Sequence, residues 1–168
     1  LEREWQCSSV ERLLALDLAR PPFVVVEIER VHTLSIGGIE LRLRVDRVDR
    51  IGDELIVIDY KTGRAEASEW RGARMDAPQL PLYAVLHPDH PTGVAFAGVG
   101  ASSAKYVGVG RDGSVIVGVG PAEKFKLTED RQRGFPWVEI MNHWRAWLER
   151  LAGDFAAGRA EVDPKLAA

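Results

Sequence analysis

The stretch from Phe23 to Lys61 constrains this chain more than any other. It is rich in β-branched residues, alternates apolar and charged positions, and is interrupted only by Gly37-Gly38 and Gly52-Asp53. Such dipeptides between alternating runs mark two-residue hairpin loops, because the tight turn needs backbone angles that glycine adopts without steric cost. The segment therefore reads as three consecutive strands in an antiparallel meander. The turns also set the register. Across Gly52-Asp53 opposed positions sum to 105, so Asp46 faces Asp59; across Gly37-Gly38 they sum to 75, so Glu29 faces Asp46.

Three carboxylates thus fall in one row, with neighbouring Cβ atoms about 5 Å apart. Lys61 lies two residues beyond Asp59, on the same face. Leu41, Leu43, Val45, Ile56, Ile58 and Tyr60 fall on the other face, which is expected to be the core side. The acidic row then looks into a cleft or solvent. Opposed like charges destabilise a sheet and push one another toward protonation. One lysine does not balance three acids, whereas a hard divalent cation such as Mg2+ would. The competing reading is a solvated face on which Arg42, Arg44 and Arg50 neutralise the acids as surface ion pairs of small worth.

Elsewhere the pattern alternates between helix and strand. Ser8 and Glu11 have the spacing of a capping box, followed by an apolar stripe of Val10, Leu13, Leu14 and Leu18 that ends at Pro21-Pro22. Thr62 to Met75 reads as a loop with Trp70 dipping into apolar surroundings, and Asp76 to Leu86 as a helix. Val94 to Val119 reads as two or three strands with a turn at Arg111-Asp112-Gly113. Trp137, Ile140, Met141, Trp144, Leu148, Leu151 and Phe155 mark a long amphipathic helix with Pro136 as its first residue. Gly-Val-Gly recurs at 98–100, 108–110 and 118–120; without a GxxxxGK sequence it reads as glycine-rich strands rather than a phosphate cradle.

The chain has 168 residues, 46% hydrophobic and 28% charged, which fits one globular domain over residues 1–168 and argues against disorder. A net charge of -3 without a basic block gives no compositional sign of nucleic acid or membrane. The lone Cys7 excludes an internal disulfide framework and an iron–sulfur cluster or cysteine-based zinc site supplied by this chain alone. It is read as a small buried residue and fits a reducing compartment. No apolar run approaches the roughly 20 residues of a membrane span. A first residue of Leu rather than Met is read as a piece cut from the C-terminal part of a longer protein.

Val45-Asp46, thirteen residues, then Asp59-Tyr60-Lys61 resembles the PD-(D/E)XK nuclease pattern, with Val in place of the nominal Pro. The string LRLRVDRVDRIGDELIVIDYKTG, with Gln79-Leu80-Pro81-Leu82-Tyr83 as a downstream Q-x-x-x-Y, is similar to the RecB-type nuclease domains of bacterial helicase–nucleases and repair proteins. The resemblance implies an α/β, restriction-endonuclease-like mixed sheet flanked by helices. It implies a Mg2+- or Mn2+-dependent deoxyribonuclease, of exonuclease type, acting on DNA in repair or recombination. A helicase domain or subunit would be its partner, in the bacterial cytoplasm at the nucleoid. Carried over, Asp46, Asp59 and the backbone carbonyl of Tyr60 bind the metal, Lys61 acts in catalysis, and Glu29 completes the metal shell or binds a second ion. Gln79 and Tyr83 face the active site and the DNA strand; alternatively Gln79 closes a capping box on Asp76 and Tyr83 is core. The upstream histidine of many RecB-type domains has no counterpart: His32 is on the wrong face, and His87, His90 and His143 come too late, so all four read as structural or surface residues. A weakly active nuclease-fold scaffold, or a hydrolase of other phosphoesters, is the alternative reading.

Overall fold

In the computed structural model, residues 2–100, 103–113, 115–127 and 134–159 are described, with side chains from Ser9 onward. Cys7's side chain and the C-terminal VDPKLAA lie outside the described residues.

The meander forms as the turns dictate: β1 (Val24–Ile36), β2 (Ile39–Ile51) and β3 (Glu54–Lys61) pair antiparallel. Gly37 and Gly38 take φ of 55° and 80°, and Gly52 takes 58°, the left-handed backbone such loops need. Ile36 pairs with Ile39, Ile51 with Glu54 and Arg47 with Ile58, the register expected from the sums. A crossover through a 3-10 turn (Ala67–Trp70) and a helix brings the chain back parallel to β3. Numbering the helices in chain order, the N-terminal one is α1 (Glu2–Leu18) and the crossover helix α2 (Gln79–Leu86). β4 (Gly93–Val99) then runs parallel to β3, β5 (Ala104–Gly110) antiparallel to β4, and β6 (Val119–Pro121) parallel to β5. The result is a six-stranded mixed sheet in order β1-β2-β3-β4-β5-β6, closed by α3 (Trp137–Ala156).

Both faces of the sheet are covered. Leu13 and Leu16 of α1, with Phe23, pack on Ile56, Ile58, Ala95, Ala97 and Tyr106. On the other face, residues of α2 and α3 such as Leu80, Ala84, Ile140 and Trp144 pack on Leu55, Val57, Val94 and Phe96. This explains why Leu55 to Ile58 is one continuous buried run, as in strands covered on both faces, rather than an alternating one.

The assignment of a single core side therefore needs correction. Ile56 and Ile58 face α1, whereas Leu41, Leu43 and Val45 pack in the cluster beneath α2 and α3, together with Val48. Tyr60 is 41% exposed. Val45 and Val48 are three residues apart yet join the same cluster, so strict alternation in β2 breaks at Asp46-Arg47. Opposite this point β1 is irregular too: its register shifts between Val25 and Glu27, and Glu29 has φ 51°. Such irregularities bend a strand and re-aim side chains. Here the bend carries the β1–β2 tip toward α3, where a Cβ built on Gly37 would stand 2.7 Å from the Cβ of Ala152.

Three smaller readings also change. Helix α1 starts at Glu2, so Ser8 lies inside it and does not cap it. Of its expected stripe, Leu13 packs on the sheet together with Leu16, whereas Val10, Leu14 and Leu18 are exposed. Helix α2 starts at Gln79 with Pro78 at its boundary, so Asp76 is not its cap; Pro81 falls in the first turn, where its missing N–H costs no helical bond. Pro136 is the residue flanking α3 rather than its first helical one. The buried position of Trp70 agrees with the sequence: it is 0% exposed, against Phe96 at 4.7 Å between ring centroids. The indole N–H groups of Trp144 and Trp147 donate to the carbonyls of Trp70 (3.1 Å) and Ala73 (2.6 Å), fixing the crossover loop to α3. The Gly-Val-Gly triplets lie in or beside β4, β5 and β6, and none leads into an α-helix.

Candidate active site

Asp59 follows Ile58, the last β3 residue paired with β2, and Asp46 precedes Arg47 on the opposing strand. The expected juxtaposition is present. Burial first, then the charge and hydrogen bond of Asp46, push the Asp59 carboxyl up to about 6, against a smaller opposing effect of Lys61. Asp46 is oriented by the next peptide of β3: its Oδ2 accepts the Tyr60 backbone N–H at 3.1 Å. Two acidic groups on neighbouring strands are thus held together against their mutual repulsion.

Lys61 emerges on the same side and is fixed from two directions. Its Nζ lies 2.8 Å from Oε2 of Glu69 and 4.1 Å from the centre of the Phe96 ring. The second carboxylate oxygen of Glu69 accepts the Glu66 backbone N–H at 3.2 Å, closing a capping box on the 3-10 turn. One carboxylate therefore ties the turn and holds the lysine. Glu69 was not among the residues singled out from sequence. Its Glu66-x-x-Glu69 spacing is visible, but lay in a segment read as loop.

Glu29 does not join the pair, and the row of three carboxylates is not assembled. It lies between the pairs Ile28–Arg47 and Arg30–Val45, in left-handed backbone, and its Oε2 bonds Arg44 Nε at 3.0 Å with the side chain more than half exposed. For Glu29 the surface ion pair is what forms.

Gln79 and Tyr83, one turn apart on α2, are linked by Gln79 Nε2 donating to the Tyr83 hydroxyl at 2.9 Å. The hydroxyl in turn donates to the Arg44 carbonyl. Burial first, and the nearby Asp46 and Asp59 charges, raise the Tyr83 hydroxyl above its ordinary pKa. Tyr83 therefore stands near the acidic pair while being 6% exposed and part of the core cluster. Asp59, Lys61, Asp76 and Gln79 are the polar lining of a cleft of about 650 Å3, whose walls include Ile36, Leu41, Phe96, Leu151 and Phe155.

The donor set suits a hard divalent ion: two carboxylates brought together by the fold, one of them a weaker acid than usual in the ion's absence. Among the described residues, the group of three metal-type donors that does converge lies elsewhere, at Glu27, His32 and His87. Sequence reading missed it because strict alternation puts residues 27 and 32 on opposite faces.

No helix among the described residues is long and apolar enough to cross a membrane. A search of curated proteins finds no match to the chain. The family model for the PD-(D/E)XK nuclease superfamily matches residues 1–166, and the mixed six-stranded sheet with three helices is the α/β arrangement that family implies. The aspartates converging from β2 and β3, with a lysine two residues on, are thus found in a chain that belongs to the PD-(D/E)XK nuclease superfamily.

Proposed function

We propose that the domain is a divalent-metal-dependent deoxyribonuclease of the RecB type, an exonuclease that serves DNA repair or recombination beside a helicase domain or subunit in the bacterial cytoplasm. The observation that carries the reading is the enforced contact of Asp46 with Asp59, which at neutral pH works against the fold unless a cation joins it. Asp46, Asp59 and the Tyr60 carbonyl are the groups that would hold Mg2+ or Mn2+; Glu29, committed to Arg44, is left out of the set. Such an ion, when bound, lowers the pKa of its water and neutralises phosphate oxygens.

The protein's own residues do the rest. The Lys61 ammonium, kept in place by Glu69 and Phe96, faces the cleft and stabilises charge that grows on the phosphate. Gln79 and Tyr83 present a paired amide and hydroxyl at the same side. The apolar walls limit water around the reacting group.

The test is incubation of single- and double-stranded DNA with the protein and Mn2+. Cleavage is expected with the wild type and at least ~100-fold less with Lys61→Ala, the scale of one lost transition-state stabiliser, while Mn2+ binding is retained. Normal metal binding without cleavage of either DNA form would replace this reading with that of a nuclease-fold scaffold.

A further inference from the structure

We propose that Glu27, His32 and His87 form a second metal site, for a borderline divalent ion of the Zn2+ kind. The irregular backbone of β1 puts Glu27 and His32 on one side of the strand, and His87, at the C-terminal end of α2, meets them there. Nε2 of His32 lies 2.8 Å, and Nε2 of His87 3.3 Å, from the same carboxylate oxygen, Oε2 of Glu27. The three donor atoms are all within 4.8 Å of one another, and the two rings are tilted by 58° with centroids 5.0 Å apart. A tetrahedral ion with bonds of about 2.0–2.1 Å needs donors roughly 3.3 Å apart, so a closure of about 1.5 Å at most suffices.

Glu27 and His87 are 7% and 2% exposed. Arg30 holds the other carboxylate oxygen at 3.1 Å, the kind of outer partner that steadies a ligating carboxylate. Two imidazoles and one carboxylate select a borderline ion, in contrast to the all-oxygen pair at Asp46 and Asp59.

One contact sets the conditions for loading. The Asp89 backbone N–H donates to Nδ1 of His87 at 3.2 Å, which leaves the ring proton on Nε2, facing Glu27. An ion at Nε2 requires that proton on Nδ1, so the exposed turn at Pro88–Asp89 must release the ring. That cost favours an ion with high imidazole affinity over Mg2+ or Ca2+. A loaded site fastens β1, the edge strand of the sheet, to the end of the helix that carries Gln79 and Tyr83.

Calorimetric titration of Zn2+ into chelator-treated wild type, His87→Ala, the milder His32→Gln, and Asp59→Ala tests this, with circular dichroism confirming that each is folded. One Zn2+ per wild-type chain is expected, with Kd below ~1 µM, at least ~100-fold weaker in whichever histidine variant folds and unchanged in Asp59→Ala. Nitrogen-15 spectra of the imidazoles should show the His87 proton moving from Nε2 to Nδ1 on loading. Absence of Zn2+ binding by the folded wild type, equal affinity in the folded histidine variants, or loss only in Asp59→Ala would overturn the proposal. The last outcome would assign the ion to the acidic pair instead.

Discussion

Asp59 is subject to two opposing demands: the fold removes it from water beside another acid, while the proposed chemistry needs it ionised. Its folded pKa of about 6 exceeds its ordinary value of 3.8. The folded state therefore holds that proton more tightly than the unfolded one. This contribution to stability is fully present below pH 3.8 and is lost as pH rises through 6. The displacement corresponds to at most roughly 3 kcal/mol, and partial exposure and coupling to Asp46 reduce it to on the order of 1–2 kcal/mol. Without metal, Asp59→Asn should be more stable than wild type by that amount at pH 8, with the advantage vanishing below pH 4, as urea denaturation across pH would show. Wild type less dependent on pH than the variant would contradict this. Mn2+ at neutral pH should raise the wild-type unfolding midpoint and leave that of the variant nearly unchanged. For Glu69→Gln, cleavage should fall about 10-fold at unchanged Mn2+ affinity, because the amide can still close the capping box but no longer balances Lys61. The juxtaposition of Asp46, Asp59 and Lys61 was legible in the sequence because the Gly52-Asp53 turn specifies the register of β2 against β3. The turn of the Glu29 side chain to Arg44 and the part played by Glu69 were not, since neither a left-handed residue inside a strand nor the contacts of a loop can be read from alternation.

At the scale of elements, the β1–β2 hairpin shapes the cleft, and Gly37 sits where it meets α3. Gly37 and Gly38 both have positive φ, but only Gly37 is crowded: an added Cβ would lie 2.7 Å from Ala152 Cβ, whereas nothing lies within 4 Å of one at Gly38. Gly38→Ala should cost about 1 kcal/mol from backbone strain alone. Gly37→Ala should cost 1–3 kcal/mol more, through overpacking against α3. Equal losses in urea titrations would show that the hairpin tip does not press on α3 as described. The turns and strand order of this hairpin were plain in the sequence. Its change of face at Asp46-Arg47 was not, because the bend answers to α3, far along the chain. The long helix was readable from its stripe, but in α1 only Leu13 of the expected stripe meets the sheet: Val10, Leu14 and Leu18 are exposed apolar residues that their own sheet does not use.

For the whole molecule, the fold is a sheet held between two layers, and a buried polar network fastens α1 to it. Asp49, fully buried, accepts from Arg47 (2.7 and 2.8 Å) and Arg20 (2.7 Å), and both arginines also bind Asp17 at 2.8 Å. Arg47 extends the network to the Tyr60 hydroxyl at 3.2 Å, on the strand between the active-site pair and its lysine. Removing one charge strands the others, so Asp49→Asn should destabilise the protein by about 3 kcal/mol or more; a loss within 1 kcal/mol in chemical denaturation would refute that role. The alternating charges around Arg47 and Asp49 look like a solvated strand in sequence, and only the second layer, α1, reveals them as interior. Whether the sheet brings Asp46 and Asp59 together to share one cation is decided by anomalous scattering from crystals soaked in Mn2+. A peak bonded to carboxylate oxygens of both residues is the expected result. Full occupancy of manganese elsewhere, with the acidic pair free of it, would contradict the account.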